Sequence, residues 1–219
     1  MKRPKRVLVI DIGGNNIKLR VHGQHETRKV PSGPRLTARR MVACVKANTK
    51  DWKYDAISIG YPGVVHKGRI TADPVNLGRG WVGFRFRRAF RRPVRIVNDA
   101  VMQALGSYHG GTMLFLGLGT GLGTALIVNG HVVPMELAHF PYGKKTIEDY
   151  VGTRGLLAMG RARWRKVVAK IIGELVAAFL ADDVVLGGGN VKKLARLPKG
   201  CRAGANATAF VGGFRLWEA

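Results

Sequence analysis

The chain has 219 residues, enough for one large domain or two lobes of about 100 residues each, and its 46% hydrophobic content is typical of globular proteins. No apolar run approaches the roughly 20 residues of a membrane span, and residues 1–6 contain no apolar signal segment, so we expect a cytoplasmic protein. The two cysteines, Cys44 and Cys201, exclude a disulfide framework and a cysteine-rich metal cluster.

The charge balance is strongly positive, with 37 Lys and Arg against 13 Asp and Glu and a formal net charge of +24. Such a surplus repels itself, which favours a polyanionic partner. Nucleic acid, an anionic membrane surface and a polyphosphate chain would each satisfy the surplus, and simple solvation of charged faces is a further alternative. Composition alone leaves these alternatives open.

The first predicted element is a short buried strand at 7–10 that ends at Asp11 and the glycines Gly13 and Gly14. Glycines at such a turn let the backbone approach a phosphate closely and point N–H groups at it. Asp11 could then hold Mg²⁺, and Lys18 could neutralise phosphate charge. The alternative is an ordinary β-hairpin whose turn happens to be Gly-Gly-Asn-Asn.

The next elements complete a predicted first lobe. The stretch 64–83 is loop-like, and its Asn76 and Trp81 could either meet a ligand or pack within a surface loop. Before this loop, hydrophobic periodicity predicts strands at 17–21, 26–30 and 55–60 and one covering helix at 36–45.

The segment 84–93 is the densest basic patch of the chain. If it is helical, it places Phe86, Ala89 and Phe90 inward and leaves its five arginines outward. Interleaved Arg and Phe also occur where single-stranded nucleic acid binds, but that mode needs exposed rings. Nucleic acid is therefore a possible partner that this pattern does not favour.

A strand beginning at Val94 ends in Asn98 and Asp99, and a helical segment follows to about Ser107. Ligands of open α/β sheets bind at the carboxyl ends of strands, so Asp99 is a candidate for chemistry. It could equally serve as the N-cap of the helix, and the two roles are compatible.

The second half of the chain repeats this pattern. Two strands at 112–130 are joined by a turn of alternating glycines, which predicts a second phosphate-binding turn or an ordinary Gly-rich hairpin. Because a similar strand, turn and strand unit begins near residue 6, we predict an internal duplication into two lobes with a cleft between them.

Polar side chains then occur in an otherwise apolar neighbourhood, at Glu136, His139 and Glu148, although a lone histidine is usually structural. A strand that begins at Asp183 ends in three glycines and leads into a helix whose N-terminus would suit a phosphate or ribose. A closing helix is predicted at 206–217. A long helix at 161–180 faces the core through Trp164, Val167, Val168, Ile171, Ile172, Leu175, Phe179 and Leu180.

Taken in order, these signals resemble the two-lobed actin-like ATPase (ribonuclease H-like) superfold of actin and the sugar kinases. Within it the chain resembles the ROK family of bacterial sugar kinases, and among these it is most similar to the polyphosphate glucokinases. The matching segments span nearly the whole chain and lie at 11–18, 60–63, 98–100, 117–124, 136–139, 148–152 and 186–190.

The resemblance implies roles for individual residues. Asp99 would be the general base that accepts a proton from the sugar 6-hydroxyl, as phosphoryl transfer requires a positioned nucleophile and a base within reach. The sugar hydroxyls would be bound by Asn76, Asn98, Glu136, His139 and Glu148. The donor phosphates, with Mg²⁺ on Asp11, would be bound by Asp11, Gly13, Gly14, Asn15, Lys18, Gly119, Thr120, Gly121 and Thr124. A nucleotide would be bound by Gly187, Gly188, Gly189 and Asn190.

The resemblance also implies an α/β fold with an N-terminal lobe at 1–107 and a C-terminal lobe at 108–219. Many family members have a cysteine-rich zinc site after the histidine, but 140–146 contains no cysteine, so no zinc is expected. The implied function is a hexose kinase, with glucose as the expected sugar, polyphosphate, ATP or both as donor, and no membrane partner. Relatives are often homodimers. The alternative is a non-catalytic sugar- or polyanion-binding protein on the same fold.

Overall fold

The computed structural model describes residues 6–205 and 207–218. The N-terminal residues 1–5 and the predicted start of the closing helix at Asn206 lie outside this range. The chain forms two compact units. The first takes its described residues up to Met102 and again from Ala209 onwards, and the second runs from Gln103 to Thr208.

The predicted strands and helices occur in the predicted order, and short elements that were not predicted lie between them. The strands are β1 (Val7–Ile12), β2 (Asn16–Val21), β3 (Arg28–Pro31), β4 (Ala56–Tyr61), β5 (Val65–His66), β6 (Arg69–Ile70), β7 (Val94–Asn98), β8 (Thr112–Leu118), β9 (Leu122–Val128), β10 (His131–Val133), β11 (Pro141–Tyr142), β12 (Lys145–Thr146), β13 (Asp183–Gly187) and β14 (Cys201–Ala203). The helices are α1 (Ala38–Asn48), α2 (Phe86–Phe90), α3 (Asp99–Ser107), α4 (Ile147–Val151), α5 (Thr153–Phe179), α6 (Thr208–Arg215) and a 3₁₀ helix at Gly189–Lys193.

Each unit is built on one mixed five-stranded sheet. The first has the order β3-β2-β1-β4-β7, and the second has the order β10-β9-β8-β13-β14. In both sheets the first three strands pair antiparallel with one another, and the last two run parallel to the central strand. The two units therefore repeat one topology, which confirms the predicted α/β class and internal duplication.

Strand β1 shows how the first unit buries both faces of its sheet. Because side chains alternate across a strand, Leu8 and Ile10 belong to a large cluster with α1, while Val7 and Val9 pack in a second cluster with Phe210 of α6. The sequence division placed the C-terminal helix in the second lobe, whereas the structure places it in the first unit.

Helix α6 is held on the first sheet by a close approach and two hydrogen bonds. A Cβ on Gly213 would lie 2.6 Å from Val9 Cγ2, so only glycine lets the helix pack this tightly. The buried Ser58 hydroxyl of β4 donates to the Gly213 carbonyl at 2.5 Å and accepts from Trp217 Nε1 at 2.9 Å. The predicted packing of this helix through small residues is confirmed.

The second unit is organised by α5, whose Trp164, Val168 and Ile172 are buried against the sheet. The helix is interrupted at Gly160, which has φ 72° and ψ 162°. The prediction that Leu180 faces the core is wrong, because α5 ends at Phe179 and Leu180 takes a left-handed conformation that leaves it 82% exposed. Over the described residues, no helix combines the length and the apolar character needed to cross a bilayer.

Candidate active site

The first site element is the end of β1, where Asp11 is buried between two strands. Asp11 is in register with Lys18 of β2 on one side and with Gly60 of β4 on the other. Lys18 Nζ lies 3.2 Å from Asp11 Oδ2. Since Lys18 stays partly exposed, the pair presents a buried carboxylate and an accessible ammonium at one edge of the sheet.

The turn that follows β1 is fixed by backbone contacts and by one hydroxyl. Gly13 N–H donates to Asn16 O at 2.9 Å, and Ser32 Oγ donates to Gly13 O at 2.6 Å. Ser32 N–H also donates to Asn15 O at 3.0 Å. Gly14 and Asn15 remain exposed. Ser32, which no local sequence pattern indicated, therefore binds the predicted phosphate-binding turn through two hydrogen bonds.

Asp99 lies at the carboxyl end of β7 and opens α3. Because β7 and β4 run parallel to β1, Asp99 and Asp11 lie at the same edge of the first sheet. Burial raises the pKa of Asp99 to about 7, and the negative charge of Asp11 acts in the same direction. The Ala100 N–H, 2.8 Å from Asp99 Oδ1, opposes this shift only in part. A carboxyl group that titrates near neutrality suits proton transfer.

Asn98 uses both ends of its side chain within the protein. Nδ2 donates to Gly63 O at 2.9 Å, and Oδ1 accepts from Ala100 N–H at 2.8 Å. These bonds join the turn after β4 to the first turn of α3. Asn98 therefore positions the backbone next to Asp99, and its predicted contact with a sugar stays a prediction.

The loop between β6 and α2 places Asn76 next to the glycine turn after β1. Asp73 Oδ1 accepts from Trp81 N–H at 2.9 Å, which closes the loop on itself. Asn76 is exposed, and its Cβ lies 3.9 Å from the position of a Cβ on Gly14. This loop therefore places the side chain of Asn76 beside the glycine turn that follows β1.

Trp81 does not face a ligand. Its side chain is fully buried, and Nε1 donates to Gly78 O at 2.7 Å. Tyr61, also fully buried, lies 5.4 Å away between ring centroids. The packed-loop alternative is therefore correct for Trp81, because a closed loop turns its large aromatic ring into the core.

In the second unit, the Gly119–Gly121 turn joins β8 to β9 and is anchored through one carbonyl. Gly119 O accepts from Asn190 Nδ2 at 2.7 Å and from Thr153 Oγ1 at 3.0 Å. Asn190 Nδ2 also donates to Thr153 Oγ1 at 3.0 Å. The first residue of each glycine turn, Gly13 in one unit and Gly119 in the other, thus has its carbonyl bound by a hydroxyl.

Thr124 differs from its predicted place. The glycine turn ends at Gly121, and Thr124 lies inside β9 opposite Leu116, where it is buried. Its hydroxyl accepts from Leu137 N–H at 3.3 Å. Thr124 therefore fastens the loop that carries Glu136 and His139, because the pairing of β8 with β9 continues past the glycines and leaves this hydroxyl inside the sheet.

The three polar residues predicted to bind sugar in this unit, Glu136, His139 and Glu148, have different surroundings from one another. Glu136 and His139 are exposed, and Glu136 Oε1 accepts from Ala138 N–H at 3.1 Å. Glu148, in the first turn of α4, accepts from Leu122 N–H at 3.0 Å. A Cβ on Gly121 would overlap the Glu148 carboxylate. Glu148 therefore packs directly against the glycine turn.

The glycines after β13 lead into a helix, as predicted, and this helix is a 3₁₀ helix of five residues. Gly188 has φ 85°, and a Cβ there would overlap the backbone of Leu118. Asn190 is 4% exposed and is engaged with Gly119 and Thr153. In the free protein this segment holds the glycine turn, and its contact with a nucleotide stays a prediction.

Replacing Asn190 with Ala is expected to lower the free energy of unfolding by about 1–3 kcal/mol, because two partly buried hydrogen bonds are lost and a small void forms. The exposed Asn15→Ala serves as the matched control and should change stability by less than about 0.5 kcal/mol. Urea unfolding of both variants measures the difference. Equal stabilities would contradict the anchoring role.

Magnesium on Asp11 stays a prediction, and the donor set can be compared with what the ion requires. The ion is typically held by one or two carboxylates together with phosphate oxygens and water. The buried carboxylate Asp11 at a strand end fits this requirement. In the described part of the chain no group of three or more His, Cys, Asp or Glu could hold a metal ion.

Two units that repeat one mixed sheet, each with a glycine turn after its central strand, define the actin-like ATPase fold. Similar structures support this class. A polyphosphate/ATP-glucomannokinase from Arthrobacter sp. strain KM has a TM-score of 0.82 at 21% identity and covers 97% of this chain and 98% of its own. A ROK glucokinase from Streptomyces griseus, solved with glucose and AMPPNP, has a TM-score of 0.76 at 18% identity, with 96% and 98% coverage.

The chain belongs to the ROK family, whose family model matches residues 7–134. Among curated relatives, the polyphosphate glucokinase of Mycobacterium tuberculosis (strain H37Ra) is 27% identical over 209 residues, covering 84% of this chain and 77% of that protein. A glucokinase of Pyrobaculum calidifontis is 33% identical over 85 residues, which cover 36% of this chain and 29% of its own. The resemblance inferred from the sequence is confirmed.

Proposed function

We propose that the protein is a hexose kinase, with glucose as the expected substrate, that transfers a terminal phosphoryl group from polyphosphate, ATP or both to the sugar 6-hydroxyl. The observation that carries this proposal is Asp99, a carboxyl group with a pKa of about 7 at a strand end beside the Asp11 and Lys18 pair. The relatives named polyphosphate glucokinase support the substrate and donor.

Asp99 is assigned the role of general base. As the sugar O6 attacks the terminal phosphorus, the O6–H proton passes to a carboxylate oxygen of Asp99, the new O6–P bond forms and the bond from phosphorus to the donor oxygen breaks. Lys18 balances negative charge on the phosphoryl oxygens. Mg²⁺ held by Asp11 would neutralise further charge on the donor phosphates.

The other predicted residues are assigned to binding. The exposed side chains Asn76, Glu136 and His139 are available for sugar hydroxyls, and Glu148 and Asn98 would act partly by holding nearby backbone. Donor phosphates are assigned to the two glycine turns. Ser32 donates a hydrogen bond to the Gly13 carbonyl, and Asn190 donates one to the Gly119 carbonyl. These bonds fix the shape of each turn before the donor binds.

The test is formation of glucose-6-phosphate by the purified protein with Mg²⁺, comparing long-chain polyphosphate with ATP. Turnover with either donor supports the kinase, and the ratio of the two rates identifies the preferred donor. Mannose and other hexoses are assayed in parallel to define sugar preference. Sugar binding without turnover, with both donors and all the sugars, would contradict the kinase and favour the non-catalytic alternative.

The rate is expected to have an acid limb set by Asp99. Only the ionised carboxylate accepts a proton, so kcat/KM should be maximal above pH 7 and fall tenfold per pH unit below its pKa of about 7. Because the charge of Asp11 raises this pKa, the residual activity of Asp11→Asn should show a limb at lower pH. A pH–rate profile from 5.5 to 8.5 measures both, and a flat profile for the parent would contradict the assignment.

A further inference from the structure

The first unit has a surface concavity that the proposed reaction does not use. It is a surface pocket of about 600 Å³ where the C-terminal turn of α1 meets the segment around α2. A volume of this size is within the range of small-ligand sites. The pocket is lined by Lys46, Phe84, Arg85, Arg88, Ala89 and Arg91.

Every charged residue that lines this pocket is positive. The stretch from Pro74 to Asn98 contains seven arginines and no acidic residue, so its sequence provides no internal counter-charge. Over residues 6–205 and 207–218, none of the four lining cations forms an ion pair with a carboxylate. A concave surface with charge of one sign concentrates the electrostatic field and attracts polyanions.

The backbone at Arg91 gives further support. Arg91 is the C-cap of α2 and has φ 55°, in the left-handed region where glycine or asparagine is preferred. Arg91 lines the pocket, and a guanidinium can bind phosphate through two parallel hydrogen bonds.

The apolar residues of the segment disfavour nucleic acid as the occupant. Phe86 and Phe90 are buried, and Phe84 packs on Phe86 with ring centroids 4.8 Å apart. Phe86 and Phe90 belong to the core, and the half-buried ring of Phe84 packs against them, whereas binding of single-stranded nucleic acid relies on several exposed rings that stack on bases. A chain of phosphates without bases fits a pocket of cations over a buried aromatic layer.

We infer that this pocket binds a segment of inorganic polyphosphate at a distance from the transfer site. The identity of the anion rests on the proposed function, but the pocket and its charge do not. Arg91 lies three positions before the first residue of β7, and Asp99 directly follows the last. A five-residue strand spans about 16 Å. The pocket therefore lies towards the opposite end of β7 from Asp99, and only a long chain can occupy both.

The experiment measures polyphosphate binding directly, without sugar, so that a failure of catalysis does not affect it. The pocket variant is Arg85→Gln, Arg88→Gln, Arg91→Gln. The matched control is Arg161→Gln, Arg163→Gln, Lys166→Gln, which removes the same charge from exposed positions on α5. Long-chain polyphosphate is titrated into each protein at several salt concentrations, with circular dichroism and melting curves to verify folding.

At 0.1 M salt we expect the pocket variant to bind long-chain polyphosphate about 30-fold or more weakly and the control about 3-fold or less. The slope of log Kd against log salt should become shallower by about 2 in the pocket variant, since three phosphate contacts are lost. Tripolyphosphate, too short to reach both places, should lose less affinity in the pocket variant than the long chain does. Lys46→Gln, on α1, tests the same pocket independently of the folding of α2.

Three results would overturn the inference. Equal weakening in pocket and control variants would show that the net charge alone attracts the polyanion. A larger loss of binding for a single-stranded oligonucleotide than for polyphosphate would identify the pocket as a nucleic-acid surface. Unchanged affinity in both the pocket variant and Lys46→Gln would show that the pocket is not a polyphosphate site.

Discussion

Replacing Asp99 with Asn is expected to lower kcat by about 10²–10⁴-fold, because an amide cannot accept the proton of the attacking hydroxyl. Asn has nearly the same shape, so sugar affinity should change little. Single-turnover and steady-state formation of glucose-6-phosphate measure kcat, and calorimetric titration measures sugar binding. Activity within a factor of ten of the parent would contradict the assignment of Asp99 as base.

The same substitution is expected to stabilise the folded protein above neutral pH. The folded pKa of about 7 lies above the ordinary value of 3.8, so ionisation of Asp99 disfavours the folded state. The penalty is absent below pH 4, grows as pH rises towards 7 and is complete above it. We expect Asp99→Asn to gain about 1–3 kcal/mol at pH 8 and nothing at pH 4.

Urea unfolding at the two pH values measures this gain. Asp55→Asn is the matched control, because Asp55 is exposed and should change stability by less than about 0.5 kcal/mol at either pH. Equal stability of Asp99→Asn and the parent at pH 8 would show that the Asp99 carboxylate is not destabilised by burial. A gain in stability together with a loss of turnover is the pattern expected where a protein keeps a destabilising charged group for catalysis.

The sequence predicted the strand ends well because their signals are local. The hydrophobic runs that stop at Asp11 and at Asn98 predict strands, and parallel strands bring their carboxyl ends to one edge of a sheet. The structure confirms both strands and places Asp11 and Asp99 at one edge. The glycine turn after β8 follows from the same local pattern.

The residues that support these turns could not be predicted in the same way. Ser32 binds a carbonyl 19 positions away, and Asn190 binds one 71 positions away. Neither contact leaves a periodic or turn-forming signature, because each depends on how distant elements pack. The same reason explains Trp81, whose burial depends on loop closure by Asp73, and α6, whose partner sheet no local pattern identifies.

Gly188 provides the largest expected effect on stability. Its φ of 85° and ψ of 162° lie in a region open almost solely to glycine, and a Cβ would overlap the Leu118 backbone, which cannot move without shifting β8. Gly188→Ala is therefore expected to lose about 3–5 kcal/mol of the free energy of unfolding, as strain and overpacking add.

Gly200→Ala is the matched control, because Gly200 has a similar φ of 77° but open space around its Cβ position. The free energy of unfolding of Gly200→Ala should fall by only about 1–2 kcal/mol, which is the conformational cost alone. Chemical unfolding of both variants separates strain from steric overlap. Equal losses would mean that the segment after β13 does not rest on Leu118. Because Leu118 immediately precedes the glycine turn, the same overlap should also raise the KM for the phosphoryl donor in Gly188→Ala and leave it unchanged in the control.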